Sequence, residues 1–280
     1  MHNKAVNHTV FVCSAGAFGV FLRWMQLQLA FDEQGLCGPS VFNWIVPAVI
    51  VLFALLLRAR VKKLPGEDRV FPKSFRRALC SEGRVYALLR WAAALIMMGG
   101  GALTILKSET YKNVEMLRAI GALAILSGIG FLLLLSGANR RAGKGRRLLY
   151  RFLSVLPLIL FSVWLIYDYK ENAINSVVWA FAVEVLTVCA LLFAFFRLAG
   201  YPFGQAEPKK ALFALGFGVF MSLLVLADER QTGLQLIFFA AGLMLGLCFF
   251  LLIDRIHPKE EEEPADDPHA PLPDGGIEKL

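Results

Sequence analysis

Apolar residues in this chain neither alternate nor recur every third or fourth position. They run on for roughly 17 to 22 residues at a time and are then broken by short polar stretches. The runs are Thr9–Ala30, Val41–Leu57, Val85–Leu106, Met116–Ser136, Leu148–Tyr167, Val177–Phe196, Ala211–Ala227 and Leu234–Ile253. At about 1.5 Å per residue, each is as long as a helix that crosses a ~30 Å hydrocarbon core. Backbone amides in lipid must be paired within their own segment or around a closed barrel, and barrel strands would alternate. The pattern therefore predicts an all-α polytopic membrane protein, a bundle of eight transmembrane helices. The second and seventh runs are the shortest, and the fifth carries Arg151 and a kink-prone Pro157.

Composition agrees. Hydrophobic residues make up 57% of the chain and charged residues 18%, against about 45–50% and about 25% in a soluble domain. Mean hydropathy is +0.59. The organisation expected is a helical bundle over residues 1–255 and a tail over 256–280.

Charge adds an orientation. The connection Arg58–Arg84 holds nine Lys and Arg residues, Arg140–Arg151 six and Arg197–Lys210 three. The alternate connections hold none, then Lys107 and Lys112, then Lys170, then Arg230. Basic-rich and basic-poor connections alternate without exception, which predicts that both termini are cytoplasmic in a cell membrane. The net charge of +7 is thereby a topology signal, and no nucleic-acid partner is expected. Trp44, Trp164, Trp179, Tyr111, Tyr167 and Tyr169 fall near outer ends, and Tyr86, Trp91, Tyr150 and Tyr201 near inner ones, as aromatic belts would. The first run is long for a signal peptide, carries Arg23 and lacks a small-x-small exit, so it is expected to remain a span. Of the cysteines at 13, 37, 80, 189 and 248, only Cys37 lies in an outer loop, which leaves no partner for an extracellular disulfide.

In the largest basic connection, Phe71, Phe75, Ala78 and Leu79 recur at helical spacing among Arg and Lys. This fits a short helix lying on the inner leaflet beside anionic lipid, and equally a solvated loop that only fixes topology. The tail after Ile253 carries nine acidic and three basic residues with several prolines, so disorder is expected. Its charge suits folding back on the basic connections.

Candidate chemistry sits within the spans, where an ionisable group costs ~2.5–3.5 kcal/mol and usually faces protein or water. Gly16, Gly19, Arg23, Gln26 and Ala30 share one helix face, while Leu22, Met25 and Leu29 suit lipid. Small residues admit a neighbouring helix, and polar ones need partners there. A polar turn, Asp32 to Gly35, follows. Glu184 is the only carboxylate well inside a run, on a face with Ala180, Phe181, Thr187 and Leu191. Arg23 and Glu184 each lie seven residues from an outer end, roughly 10 Å deep, so a direct pair is expected. The candidate polar site is thus Arg23, Gln26 and Glu184, for a substrate or for structural contact. Arg90 and Arg118 are near enough to span ends to snorkel. Gly99, Gly100 and Gly101 mark a hinge or a tight crossing, and Gly242 and Gly246 form a GxxxG packing motif.

No histidine falls in a run, and neither an HExxH nor a phosphate-cradling GxxxxGK[ST] motif occurs, so no metal site, cofactor or catalytic residue is nominated. The stretch Leu22-Arg23-Trp24-Met25-Gln26-Leu27-Gln28 with Phe31-Asp32-Glu33-Gln34-Gly35-Leu36 resembles the start of bacterial multi-pass membrane proteins, a resemblance that implies no activity. The function expected is a small permease-like protein, or the membrane subunit of a transport system driven by a proton gradient or a cytoplasmic ATPase. The alternative is a scaffold or sensor that holds protein partners through its basic loops and acidic tail. A membrane enzyme stands third.

Overall fold

The computed structural model describes residues 2–31, 40–64, 69–79, 83–111, 113–138, 144–172 and 178–258. Among these residues nine helices form: α1 (His2–Ala30), α2 (Phe42–Lys62), α3 (Phe75–Leu79), α4 (Arg84–Leu106), α5 (Val114–Ala138), α6 (Lys144–Asn172), α7 (Val178–Ala199), α8 (Pro208–Leu224) and α9 (Thr232–Asp254). All but α3 are long and apolar enough to cross a membrane. The eight expected runs each coincide with one of them. The helices overshoot the apolar runs at several ends, α1 by the stretch from His2 to His8, because helical hydrogen bonding does not stop where hydropathy falls.

Helices α4 to α9 form a ring in which each packs on the next and α9 closes back against α4. α1 packs on α8 and α9, and α2 on α1 and α8. The last two spans are consequently the core of the molecule: 67% of the apolar window of α8 and 72% of that of α9 are buried, against 22% for α1. The ring is filled by aromatic side chains. Trp164 of α6 meets Phe238 of α9 with ring centroids 4.4 Å apart, and Phe161 stacks on Phe195 of α7 at 5.6 Å. Offset aromatic pairs at such spacings add to the burial term.

Close approach of helices rests on glycine. α4 runs unbroken through Gly99, Gly100 and Gly101, and two of the three glycines stand at helix crossings. A Cβ at Gly101 would lie 2.5 Å from the carbonyl oxygen of Gly121 on α5, and one at Gly100 would lie 2.9 Å from that of Gly233 on α9. Gly99 faces open space. Gly16 and Gly19 seat α1 on Leu223, Leu224 and Phe220 of α8. Gly242 lies against Ser222, whereas Gly246 has room for a methyl group, so only half of the GxxxG motif is a contact.

The inner-leaflet expectation is corrected in part. α3 forms, but Phe71, Ala78 and Leu79 are buried within the protein, α3 packing on α5 and α9, so these side chains are withdrawn from lipid. Phe75 lies against Tyr150. A two-residue antiparallel ladder pairs Arg69 with Pro258 and Val70 with His257, tying the root of the tail to the basic connection. Ile256 is buried, so the packed region extends past residue 255; the tail from 259 onward lies outside the described residues. His2 lies 3.5 Å from Asp254, which puts the start of α1 and the end of α9 on one face. On that face Lys210 donates a hydrogen bond to Glu207, and with Arg197 beside it the Glu207 carboxyl is held below its ordinary range.

The crossing at Gly101 predicts a sharp contrast in thermal unfolding in lipid nanodiscs. Gly101→Ala should lose about 1–3 kcal/mol by overpacking, and Gly99→Ala should lose nothing. Equal losses at both would contradict the crossing.

Candidate functional site

The site begins with the face of α1. Its buried residues are Ala5, Val12, Gly16, Gly19, Arg23, Gln26 and Ala30, the stripe read from spacing alone, while Leu29 is exposed. The two glycines bring α1 onto the end of α8, which places Arg23 beside the α8–α9 connection. There α8 tightens into a single 3-10 turn, Val225–Ala227, and the chain passes through Asp228 in extended conformation. Arg23 lies about 10 Å below the end of α1 at Ala30. Since it meets Asp228, this connection is recessed to that depth, and the short seventh run is a short helix for that reason.

Arg23 Nε donates to Asp228 Oδ1 at 2.7 Å, and Nη1 donates to Gln26 Oε1, also at 2.7 Å. Gln26 Nε2 in turn donates to Asn43 Oδ1 in the first turn of α2 at 3.1 Å. On the other side, Arg230 Nη2 lies 3.7 Å from Asp228 Oδ2, and Arg230 Nη1 forms an ion pair with Glu184 on α7. Trp164 Nε1 donates to Glu184 Oε1 at 3.1 Å. Asp168, one turn along α6, lies within hydrogen-bonding reach of Glu184. Gln235 closes the connection by donating to the Asp228 backbone carbonyl at 2.9 Å. A continuous polar chain thus runs Asn43–Gln26–Arg23–Asp228–Arg230–Glu184–Trp164.

Most of the chain is buried, while Arg230 keeps 20% of its side chain exposed. Arg23, Gln26 and Glu184 are 0% exposed, Asp168 1% and Asp228 4%. Desolvated charges of this kind are held by mutual attraction and hydrogen bonding, and removal of one partner leaves the other uncompensated. The bonding is also incomplete. Oδ2 of Asp168, Oε2 of Glu184 and Oδ2 of Asp228 receive no aligned hydrogen bond, and neither does Nε of Arg230 find an acceptor. Among the described residues, three carboxyls face two guanidinium groups.

The three nominated residues therefore come together, although by a different route. Arg23 and Glu184 are joined through Asp228 and Arg230 in place of the direct pair expected, because the recessed connection stands between α1 and α7. The alternation of basic residues picks out Arg230 alone in this connection and leaves Asp228 unmarked; the signal for both is two opposite charges next to the short seventh run. Trp164, expected in an aromatic belt, is fully buried and donates to Glu184. Tyr150, Tyr167 and Tyr201 are likewise buried, while Trp44, Trp91 and Tyr169 are exposed as a belt requires. Thr187 donates to the carbonyl oxygen of Val183 and lies 3.3 Å from that of Met221 on α8, so the face of Glu184 points inward. The turn Asp32 to Gly35, with Cys37, and the side chain of Ala180 lie outside the described residues. Arg118 pairs with Glu109 at 3.0 Å in an exposed position, and Arg90 is half-buried near the opposite end.

Among the described residues no group of three or more His, Cys, Asp or Glu is arranged to hold a metal ion. No known protein family, no curated protein and no solved structure matches the chain.

The pairing predicts specific couplings. Arg23→Ala should cost about 3–5 kcal/mol of stability, as removing one partner of a buried pair does. In double-mutant cycles on purified protein, Arg23→Ala with Asp228→Asn and Arg230→Ala with Glu184→Gln should each be non-additive by about 0.5–3 kcal/mol. Additive losses in both cycles would refute the chain.

Proposed function

We propose that this multi-pass membrane protein is a small permease, or the membrane subunit of a larger transport system, with its substrate site at Arg23, Gln26, Asp228, Arg230 and Glu184. One observation carries the reading: Arg23, fully buried, and Arg230, 20% exposed, stand with incompletely bonded carboxylates at the floor of a recessed connection where several helices meet. An interface that needed only adhesion would be served at lower cost by apolar side chains of similar volume. Intramembrane ionisable groups facing a bundle interior mark substrate and ion paths.

The substrate class follows from the donors. Asp228 and Glu184 occupy the guanidinium groups that a small anion would otherwise take, so they act as internal stand-ins for a carboxylate or phosphate group. The substrate enters by displacing them from the outer side, and Gln26 and Asn43 supply neutral contacts. The orientation is that of basic connections inside a bacterial cell membrane, with both termini cytoplasmic and anionic lipid against the basic face. Energy comes from a proton gradient or from a cytoplasmic ATPase docked on that face.

A second reading, a scaffold or sensor, draws support from the ladder between Arg69–Val70 and His257–Pro258. It places the root of an acidic tail against the most basic connection, where a cytoplasmic partner could compete for it.

Thermal stability in lipid nanodiscs against a panel of small anions distinguishes the two. A ligand at a hundred times its dissociation constant raises stability by about 2.7 kcal/mol. Under the transport reading at least one anion stabilises the wild type and loses that effect in Arg230→Ala. A silent panel, with co-purification of a protein that is lost when the tail is cut at Pro258, would overturn it in favour of the scaffold.

A further inference from the structure

The charge count at the site is odd, and the geometry says where the imbalance lies. Arg23 is matched to Asp228, and Arg230 stands between Asp228 and Glu184. Asp168 is the third carboxyl, 1% exposed, with Oδ2 bound to nothing and its neighbour across the gap being the carboxyl of Glu184. Two carboxyls within hydrogen-bonding reach cannot both be ionised without repulsion in a low-dielectric setting; a shared proton turns the contact into a hydrogen bond.

Among the described residues, the groups around the pair do not supply a third cation. From α6 itself come Trp164, whose indole N–H serves Glu184, and Tyr167 and Glu171. Glu171 is taken up by Asn113 at 2.7 Å. From α7 comes Cys189, and from the α8–α9 connection come Asp228 and Arg230. The outer end of α5 carries Glu115 and Arg118, the latter paired with Glu109. The charged side chains of α8, Lys209 and Lys210, and of α9, Asp254, lie at the opposite ends of those helices, and the Cys248 thiol of α9 lies toward that end too.

We propose that Asp168 and Glu184 form a proton-carrying carboxyl pair, which holds one shared proton in the closed protein and takes a second when an anion binds Arg230. This deepens the transport reading above and rests on it for the second step alone. With one proton on the pair, Asp228 and the pair contribute two negative charges against Arg23 and Arg230, and the site is neutral. A second proton, taken from the outer aqueous phase onto the pair, neutralises Glu184 and releases Arg230. A monovalent anion then restores neutrality. On release, the anion leaves Arg230, the proton leaves the carboxyl for the opposite aqueous phase, and Glu184 returns to the guanidinium group. One proton and one anion move together, and no bond other than the O–H bond of the pair is made or broken.

Infrared difference spectroscopy of the protein in nanodiscs tests the resident proton without any substrate. A protonated carboxyl shows a C=O stretch that an ionised one lacks, and an ordinary carboxyl, with a pKa near ~4, shows none at neutral pH. In a titration from about pH 5 to about pH 9, the wild type should show this band at neutral pH. Asp168→Asn and Glu184→Gln, which keep shape and hydrogen bonding, should each abolish it. A wild type with no band at neutral pH overturns the proposal even if the variants fail to fold, and so does a band unchanged in both folded variants. For the second proton, the stabilisation by an anion found in the panel should strengthen as pH falls in the wild type and become independent of pH in Asp168→Asn; pH dependence retained in that variant overturns the coupling. A band that depends on the pair beside a silent panel removes the transport reading and keeps the proton site. An anion response with no band does the reverse.

Discussion

Arg23 reaches across from α1 to Asp228, and the depth of that contact decides much else. A guanidinium group about 10 Å below the end of its helix has no route to water except through a partner. Asp228 can be that partner only because α8 stops short and its connection to α9 dips to meet it. The same dip carries Arg230 to Glu184 and so to Trp164 and Asp168, which sets α6 and α7 in their rotational positions. Gly16 and Gly19 make the approach of α1 to α8 possible, and Gln235 fastens the connection by donating to the Asp228 carbonyl. The buried charges, the short span and the small-residue stripe of α1 are three aspects of one constraint.

That constraint also accounts for the division of the bundle into a core and a periphery. α8 and α9 are enclosed on most sides and are packed with aromatic and small residues, while α1 and α2 present most of their surface to lipid. Glycine contacts join α4 to α5 and α9, where backbone meets backbone. Apolar burial offers little net drive between helices in a bilayer, so packing and polar contacts hold the assembly. Among the described residues the buried charge pairs gather at one end of the bundle, and packing contacts run along its length.

How much of this was legible beforehand follows from the physics of each feature. All eight spans could be read, because hydrocarbon thickness imposes length and apolarity on each segment separately. The buried face of α1 could be read too, since helical spacing alone puts Gly16, Gly19, Arg23 and Gln26 in one line. Pairing could not. Whether Arg23 meets Glu184 depends on which helices are neighbours and how deep a connection lies, and neither is written into a single segment. Arg230 entered the reading only as the lone basic residue of an outer loop, and Asp168 fell one residue beyond an apolar run. Trp164 had the signature of an interfacial residue, and only the closure of the ring shows it turned inward. The glycine triplet of α4 shows in the sequence as a run of small residues, but that Gly121 and Gly233 stand opposite Gly101 and Gly100 is a matter of which helices are neighbours. The residues of α3 kept the helical periodicity expected of them, but their apolar face found the bundle and left the lipid.

The central claim is that the α8–α9 connection is recessed and held by the Arg23–Asp228–Arg230–Glu184 chain. Hydrogen exchange of the segment Val225–Gln231 in nanodiscs tests it most directly, since protection reports local opening against global stability. The account predicts slow exchange there in the wild type and a selective gain in exchange in Arg23→Ala, with α4 and α5 still protected. Fast exchange of this segment in the wild type, as in an ordinary water-exposed loop, would contradict it.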